Sequence, residues 1–230
     1  MPRRVEMEAE VNTEPITPKG RRTRLRILDA ARTVLARTGY VTLRMADVAA
    51  EAGLSMGALY RYFENKEDVF DNLIGDIHQD LYFASTGSGY SLADDPYNAL
   101  LSANRGYLAH YYENRDVLRV LVEVMTVDTR FRDIWWAMRQ RHINRFLKAY
   151  RAANTGNKLS DDEAARLCEA LSAMVEMSAY AWFAQEEMND TPISIDQAAE
   201  TVSRIWYAAF FITSDEARMA RTSSNRKTAS

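Results

Sequence analysis

Apolar residues recur every three or four positions along most of this chain, and alternation at period two is almost absent. That period places side chains on one face of a helix, so the pattern predicts an all-α protein. Ile27, Ala30, Ala31, Val34 and Leu35 form the first stripe and predict a helix from Pro18 or Lys19 to Thr38, ended by Gly39. The stretch from Thr42 to Lys66, TLRMADVAAEAGLSMGALYRYFENK, reads as two short helices around a tight corner, then the start of a third. Thr42 offers an N-cap hydroxyl, and Leu43, Ala46, Val48 and Ala49 give the following helix its apolar side. Gly53 breaks that helix and Ser55 caps the next, with Leu54 and Leu59 at the spacing of a hydrophobic staple. Helix, glycine-containing turn, helix is an arrangement whose second helix can enter a DNA major groove.

Asn65 caps a further helix that runs to about Ala84, with Val69, Phe70, Leu73, Ile74 and Ile77 as its apolar side. Thr86 to Asp95 reads as a loop. Five amphipathic helices follow, near Pro96–Asn114, Val117–Val127, Arg130–Ala153, Ser160–Met188 and Ser194–Ser214. Arg115-Asp116 and Asn154–Lys158 look like turns, and Thr191-Pro192 marks a break. Ser160 with Glu163 has the spacing of a capping box. Polar segments over 1–18 and 215–230 are expected to be a disordered arm and a flexible tail. In the arm, Arg3 and Arg4 are opposed by Glu6, Glu8, Glu10 and Glu14, so no essential role is expected of it. The expected organisation is thus a helix-turn-helix head over 19–66 and a helical body over 67–214.

Net charge is −3, which alone argues against a nucleic-acid partner. Its distribution changes that picture. Lys19 to Lys66 carries ten basic and four acidic residues, whereas the remainder of the chain is acidic. A basic head on an acidic body fits DNA binding, and a solvated basic face fits equally well. Arg21, Arg22, Arg24 and Arg26 crowd the positive end of the first helix dipole, which suggests an external anion such as phosphate. Alternatively, the long side chains simply reach water. The single cysteine, Cys168, excludes an internal disulfide and sits among apolar neighbours as a buried thiol. No signal peptide is evident, and the longest apolar run, Ala170 to Ala184, is too short to span a membrane. A cytoplasmic protein without a membrane partner is expected.

The segment Thr23 to Phe70, TRLRILDAARTVLARTGYVTLRMADVAAEAGLSMGALYRYFENKEDVF, resembles the DNA-binding domain of the TetR (tetracycline repressor) family of bacterial transcriptional regulators. Gly53 to Phe63, G-x-S-x-G-x-L-Y-x-Y-F, and the N-K-E after it carry most of the likeness. The match covers about a fifth of the chain. With Leu59 and Phe63 turned inward, Met56, Gly57, Ala58, Tyr60, Arg61 and Tyr62 remain for the groove. Ala58 suits a thymine methyl and Arg61 a bidentate guanine contact. The resemblance implies base or backbone contacts by Tyr60 and Tyr62, although Tyr62 also reads as half-buried scaffold. Arg44 and Met45 match family positions that face bases or phosphate. Thr42 and Ser55 at the two helix starts, and Lys66 beside free amides, complete the expected DNA-binding set. Glu67 and Asp68 compete with phosphate at that last site.

The resemblance further implies a homodimer through the last two long helices, a double-stranded operator, and a small effector held in the body. Tyr107, Tyr111, Met125, Trp135, Met138, Met174, Met177, Tyr180 and Phe183 are candidate cavity residues, being large, adaptable and in part equipped with polar handles. Such a stripe is otherwise core. Glu123 and Glu176 interrupt apolar runs, where an unpaired carboxylate is costly. Rotation to solvent or an arginine partner suits Glu123, and for Glu176 that reading stands beside contact with a ligand. His78, His110 and His142 lie on three predicted helices with no metal-ligand spacing, and are expected as surface or cap residues. No nucleophile motif, phosphate loop or dinucleotide fingerprint is present, so no cofactor, metal or catalytic residue is expected. The reading is a repressor released from a pseudo-palindromic operator by a small, mostly apolar or aromatic ligand. A helical enzyme or carrier with an inert head, and a sequence-blind DNA-packaging protein, are the alternatives.

Overall fold

The computed structural model describes residues 17–87, 89–153, 159–185 and 192–212, all of them helix, turn or loop. Residues 1–16 of the arm expected over 1–18, residue 88, the expected turn over 154–158, the segment 186–191 and residues 213–230, which include the tail expected over 215–230, lie outside the described residues. The helices are α1 (Pro18–Thr42), α2 (Met45–Glu51), α3 (Met56–Leu59), α4 (Lys66–Ala84), α5 (Pro96–Glu113), α6 (Arg115–Val124), α7 (Thr129–Ala153), α8 (Asp161–Ala179) and α9 (Ile195–Phe211), with a π-helical turn over Tyr180–Ala184. Two units separate between Leu73 and Ile74, inside α4.

In the first unit Thr17 caps α1 by accepting from the Gly20 amide at 3.1 Å, and Pro18 occupies the first turn. The predicted stripe is buried: Ile27, Leu28, Ala30, Ala31, Val34 and Leu35. Helical geometry breaks at Gly39, whose φ is 74°, but one more turn follows through Thr42. Thr42 therefore does not cap α2, contrary to expectation. Its hydroxyl donates back to the Thr38 carbonyl, the bond a threonine makes inside a helix. Arg44, extended at φ −125°, is the N-cap of α2 and has no side-chain cap bond. Leu43, Val48, Ala49 and Ala52 are buried, whereas Ala46 is exposed. Gly53, at φ 62°, turns the corner, and Ser55 caps α3 by accepting from the Ala58 amide at 3.2 Å. The helix is one turn long, and bonds from the Tyr62 and Phe63 amides to the Leu59 carbonyl carry it on as a turn. Leu59 and Phe63 are buried, as are Val69 and Phe70 of α4. Asn65 caps α4 by accepting from the Asp68 amide at 2.8 Å.

In the second unit α5 packs most extensively on α9, and α7 on α8. Asp95 caps α5, with Pro96 in its first turn. The joint between α5 and α6 is Asn114, not Arg115-Asp116, which form the first turn of α6. The buried Asn114 side-chain amide donates to the His110 carbonyl, so one residue closes α5 and opens α6. The Ser160–Glu163 capping box forms in full, and Ser194 with Gln197 makes a second one not anticipated from the sequence. The helix expected to reach Met188 changes to π geometry at Tyr180. Val127, expected inside α6, lies in a turn and is exposed. Phe146 and Tyr150 of α7 interlock with Trp206 and Phe210 of α9, with Phe146 at 4.8 Å from both ring centres of α9. Each such ring pair contributes about 0.5–1.5 kcal/mol beyond area burial.

Gly106 is required by close approach. A Cβ added there would stand 2.0 Å from the Ala84 carbonyl oxygen, so the last turn of α4 lies directly on the backbone of α5. Gly106→Ala should destabilise the protein by about 1–3 kcal/mol or more, because backbone must move. Gly75→Ala, in open space on α4, should stabilise by about 0.5–1 kcal/mol. Urea unfolding followed by circular dichroism measures both.

Candidate DNA-reading surface and ligand cavity

The α3 turn presents Met56, Tyr60 and Arg61 outward, with Met56 37% and Tyr60 50% exposed. Both side chains reach outward from an element one turn long. Gly57 is exposed, and no atom lies within 4 Å of where a side-chain methyl would stand, so another molecule can approach the backbone closely there. Ala58, Tyr62 and Met45 are half-buried, and Arg44, Ser55 and Thr42 exposed. Ser55 is engaged as the cap. Lys66 differs from expectation. Its ammonium donates to the Tyr40 and Val41 carbonyls at 3.3 and 3.4 Å and stands 4.7 Å from the Tyr40 ring centre. It thus closes the carbonyl end of α1. Of the arginines on α1, Arg21, Arg22 and Arg26 are exposed, while Arg24 bonds to Asn72 and lies over the Phe63 ring.

The second unit contains a cavity of about 390 Å³ walled by α4 to α9. Tyr107, Tyr111, Met125, Trp135, Met138, Glu176, Met177 and Tyr180 line it. Met177 is also 57% exposed, which places it at an opening. Met174 and Phe183 do not line the cavity. Successive α8 residues turn by about 100°, and Ala173, Glu176 and Met177 take the inward positions instead of Met174. Phe183 is buried against the ring of Tyr112 at 5.5 Å.

Glu176 meets Arg139, whose Nε donates to both carboxylate oxygens at 3.1 and 3.0 Å and whose Nη2 adds a further contact. The guanidinium stacks on Trp135 at 3.9 Å. Burial raises the Glu176 pKa, and the arginine opposes that shift. Glu123 is exposed. Burial, followed by the Glu176 charge, raises the pKa values of Tyr107 and Tyr111, so both remain neutral phenols. Cys168 is fully buried and its thiol is pushed up to about 12 by burial.

Two histidines expected on the surface stand in the cavity wall. His78 of α4 and His142 of α7 have ring centres 5.7 Å apart. Burial, then Arg141, lowers the His78 pKa to about 4. Burial, then Arg145, His78 and Arg141, lowers His142 to about 3. His110 is turned instead toward the Ile77 carbonyl at 3.1 Å. Arg145 donates to the Tyr82 carbonyl at 2.6 Å and to the Ser85 carbonyl and hydroxyl at 2.7 and 2.8 Å. The sequence did hold a signal for the pair. His78 lies four residues after Ile74 and three before Leu81, and His142 lies four from both Met138 and Phe146, each inside an apolar stripe. Among the described residues no three His, Cys, Asp or Glu side chains are placed to hold a metal, and no helix is long and apolar enough to cross a membrane.

The family described as bacterial regulatory proteins, tetR family, matches residues 27–73. The fatty acid metabolism regulator protein of Bacillus subtilis (strain 168) is 41% identical over 49 residues, 21% of this chain and 25% of that protein. The HTH-type transcriptional repressor KstR2 of Rhodococcus jostii (strain RHA1) is 30% identical over 132 residues, 50% of this chain and 62% of that one. The alignments therefore span from a quarter to less than two thirds of these two relatives. The crystal structure of a TetR-like transcriptional regulator from Rhodococcus sp. RHA1 superposes with a TM-score of 0.63 at 22% identity, covering 81% of this chain and 94% of that one, a likeness of fold.

Arg139→Met should destabilise by about 3–5 kcal/mol because it leaves the Glu176 carboxylate buried and unpaired, whereas Arg139→Met with Glu176→Leu should recover most of the loss. Chemical denaturation of the two variants tests this. The histidines give a second expectation. An unfolded chain takes up protons on His78 and His142 below about pH 6.5, while the folded chain resists until about 4 and 3. Their contribution is constant above pH 6.5, and stability falls as pH drops from there toward 4. His142→Gln should show a shallower fall than wild type in melting curves across that window.

Proposed function

The chain belongs to the TetR family of bacterial regulatory proteins, and from that premise we propose that it is a cytoplasmic, homodimeric, DNA-binding transcriptional repressor released from its operator by a mostly apolar ligand. The observation that carries the DNA-binding reading is the α3 turn, where Arg61, Tyr60 and Met56 face outward around the bare backbone of Gly57. Arg61 reads guanine, and Ala58 allows contact with a thymine methyl. Arg44, Met45, Thr42, Ser55 and Tyr62 flank that surface and hold its register on the backbone. Lys66 acts through the corner it closes between α1 and α4.

One recognition turn reads few base pairs, so useful specificity calls for two copies on a pseudo-palindrome with half-sites about 34–36 Å apart or a related spacing. The outward stripe Thr201, Ile205 and Ala208 of α9, continued by Ile212, has Ile205 42% exposed and suits an interface with a second copy, together with α8. The aromatic cavity suits a small apolar molecule. His78, Leu81 and Ser85 lie on or just after α4, the helix that begins at Lys66 in the head. A ligand that favours one tilt of α4 changes the spacing of the two heads, and its effect on DNA affinity is limited by that preference.

Selection of bound duplexes from a random pool should recover a pseudo-palindrome, whereas recovery of no motif would remove the specific-regulator reading. Arg61→Ala should lose about 1–3 kcal/mol of discrimination at one base pair per half-site. Arg44→Ala should weaken all sequences alike and flatten the salt dependence by about one ion per head. Fluorescence anisotropy on the selected duplex and single-base variants reads both effects.

A further inference from the structure

A cavity walled mostly by hydrocarbon also holds a bidentate ion pair, and the pair leaves one edge of its arginine unused. Glu176 takes Nε and Nη2 of Arg139, and both of its carboxylate oxygens are engaged. Nη1 of Arg139 makes no hydrogen bond among the described residues. Trp135 covers one face of the guanidinium at 3.9 Å. The Arg139 and Glu176 side chains keep 12% and 20% exposure, and both line the cavity. Tyr107 stands in the same wall, and its hydroxyl also makes no hydrogen bond among the described residues. Burial, then the charge of Glu176, then Tyr111 hold this phenol well above its ordinary pKa, and Arg139 opposes them. The hydroxyl is therefore a neutral donor, set in the interior beside the ion pair.

The other polar groups of the wall are closed off or engaged. The Nε2 atoms of His78 and His142, the Tyr111 hydroxyl and Nε1 of Trp206 lack partners, but surrounding atoms shut all four in. Nη1 of Arg139 and the Tyr107 hydroxyl are not shut in. Arg145 serves the end of α4, the Asn104 amide donates to Ser203 at 2.9 Å, and the Tyr180 hydroxyl accepts from Gln185 at 2.7 Å. With Glu176 saturated, what stays open beside it is a pair of donors. Charge narrows the choice further. A ligand carboxylate would stand near Glu176, whose burial already works against its own charge, and a cation would stand near Arg139. An uncharged acceptor meets neither cost. Granted the ligand-binding reading given above, we propose that the ligand is an uncharged, mostly hydrocarbon molecule with a carbonyl group, as in a ketone or an ester, whose oxygen accepts from Nη1 of Arg139 and from the Tyr107 hydroxyl. A carbonyl oxygen has two lone pairs and can take both bonds. Such a head ties α5 to α7, because the two donors belong to those helices.

The test uses the full-length protein and three matched probes: octan-2-one, 2-methyloct-1-ene and octanoate. The alkene carries a methylene group where the ketone carries its oxygen. Titrations read by tryptophan fluorescence should give the ketone at least about tenfold tighter binding than either of the others, since a site built to donate hydrogen bonds rejects analogues that cannot accept them. A cavity without open donors would rank ketone and alkene the other way, because the alkene is the more hydrophobic. Tyr107→Phe should remove most of the preference and leave the affinity for the alkene in place. If that variant fails to fold, infrared spectra of the wild-type complex decide: the stretch of a carbon-13-labelled carbonyl should lie at lower frequency in the bound ketone than in hexane. Equal or tighter binding of the alkene, tighter binding of octanoate, a folded Tyr107→Phe with the preference intact, or a carbonyl band at its hexane position would overturn the carbonyl inference while leaving an apolar ligand site intact. No binding of any probe would overturn the ligand-binding reading along with it.

Discussion

The cavity depends on how the last turn of α4 disposes of its carbonyl groups. A helix end leaves its final carbonyls without amide partners, and here that end lies partly buried beside an apolar space. Arg145 answers with three hydrogen bonds, to the Tyr82 and Ser85 carbonyls and the Ser85 hydroxyl. Burial lowers the pKa of this guanidinium, and contact with Tyr82 opposes the shift. The same arrangement holds the Ser85 hydroxyl 3.3 Å from Nδ1 of His142 and, after burial, adds a positive charge that lowers the pKa of that imidazole. One charged side chain thus closes a helix and orders a polar cluster beside the cavity.

Much of this was legible in the chain. The stripe from Ile27 to Leu35, the corner at Gly53, the caps at Ser55 and Asn65 and the capping box at Ser160 all formed where local rules place them, because each depends on residues within one or two helical turns. Thr42 failed as a cap because Gly39 bends α1 without ending it, and a tertiary kink is not encoded in a four-residue pattern. Lys66 failed as a free cation because its carbonyl partners lie at 40 and 41, far away in sequence. Met174 and Phe183 were misplaced for a different reason. Apolar character marks burial, but whether a buried side chain faces a cavity or a neighbour depends on helix rotation, and the π-helical turn after Tyr180 resets that rotation.

The histidines show the limit most clearly. Spacing along the chain separates His78 from His142 by more than sixty positions, and metal-ligand or catalytic motifs look for nearer pairs. Their placement inside apolar stripes was the usable signal, since a polar residue at a core position needs a partner. Glu176 obeyed that logic through Arg139, and Glu123 escaped it by facing solvent.

The contact between Gly106 and Ala84 carries a mechanical consequence. With no side chain between them, the end of α4 rests backbone to backbone on α5, and no rotamer change can cushion that point. Any adjustment at that point has to be made by the backbone itself. Leu81 and His78 lie within two turns of that contact and line the cavity, so this part of the wall is held at a point that cannot yield.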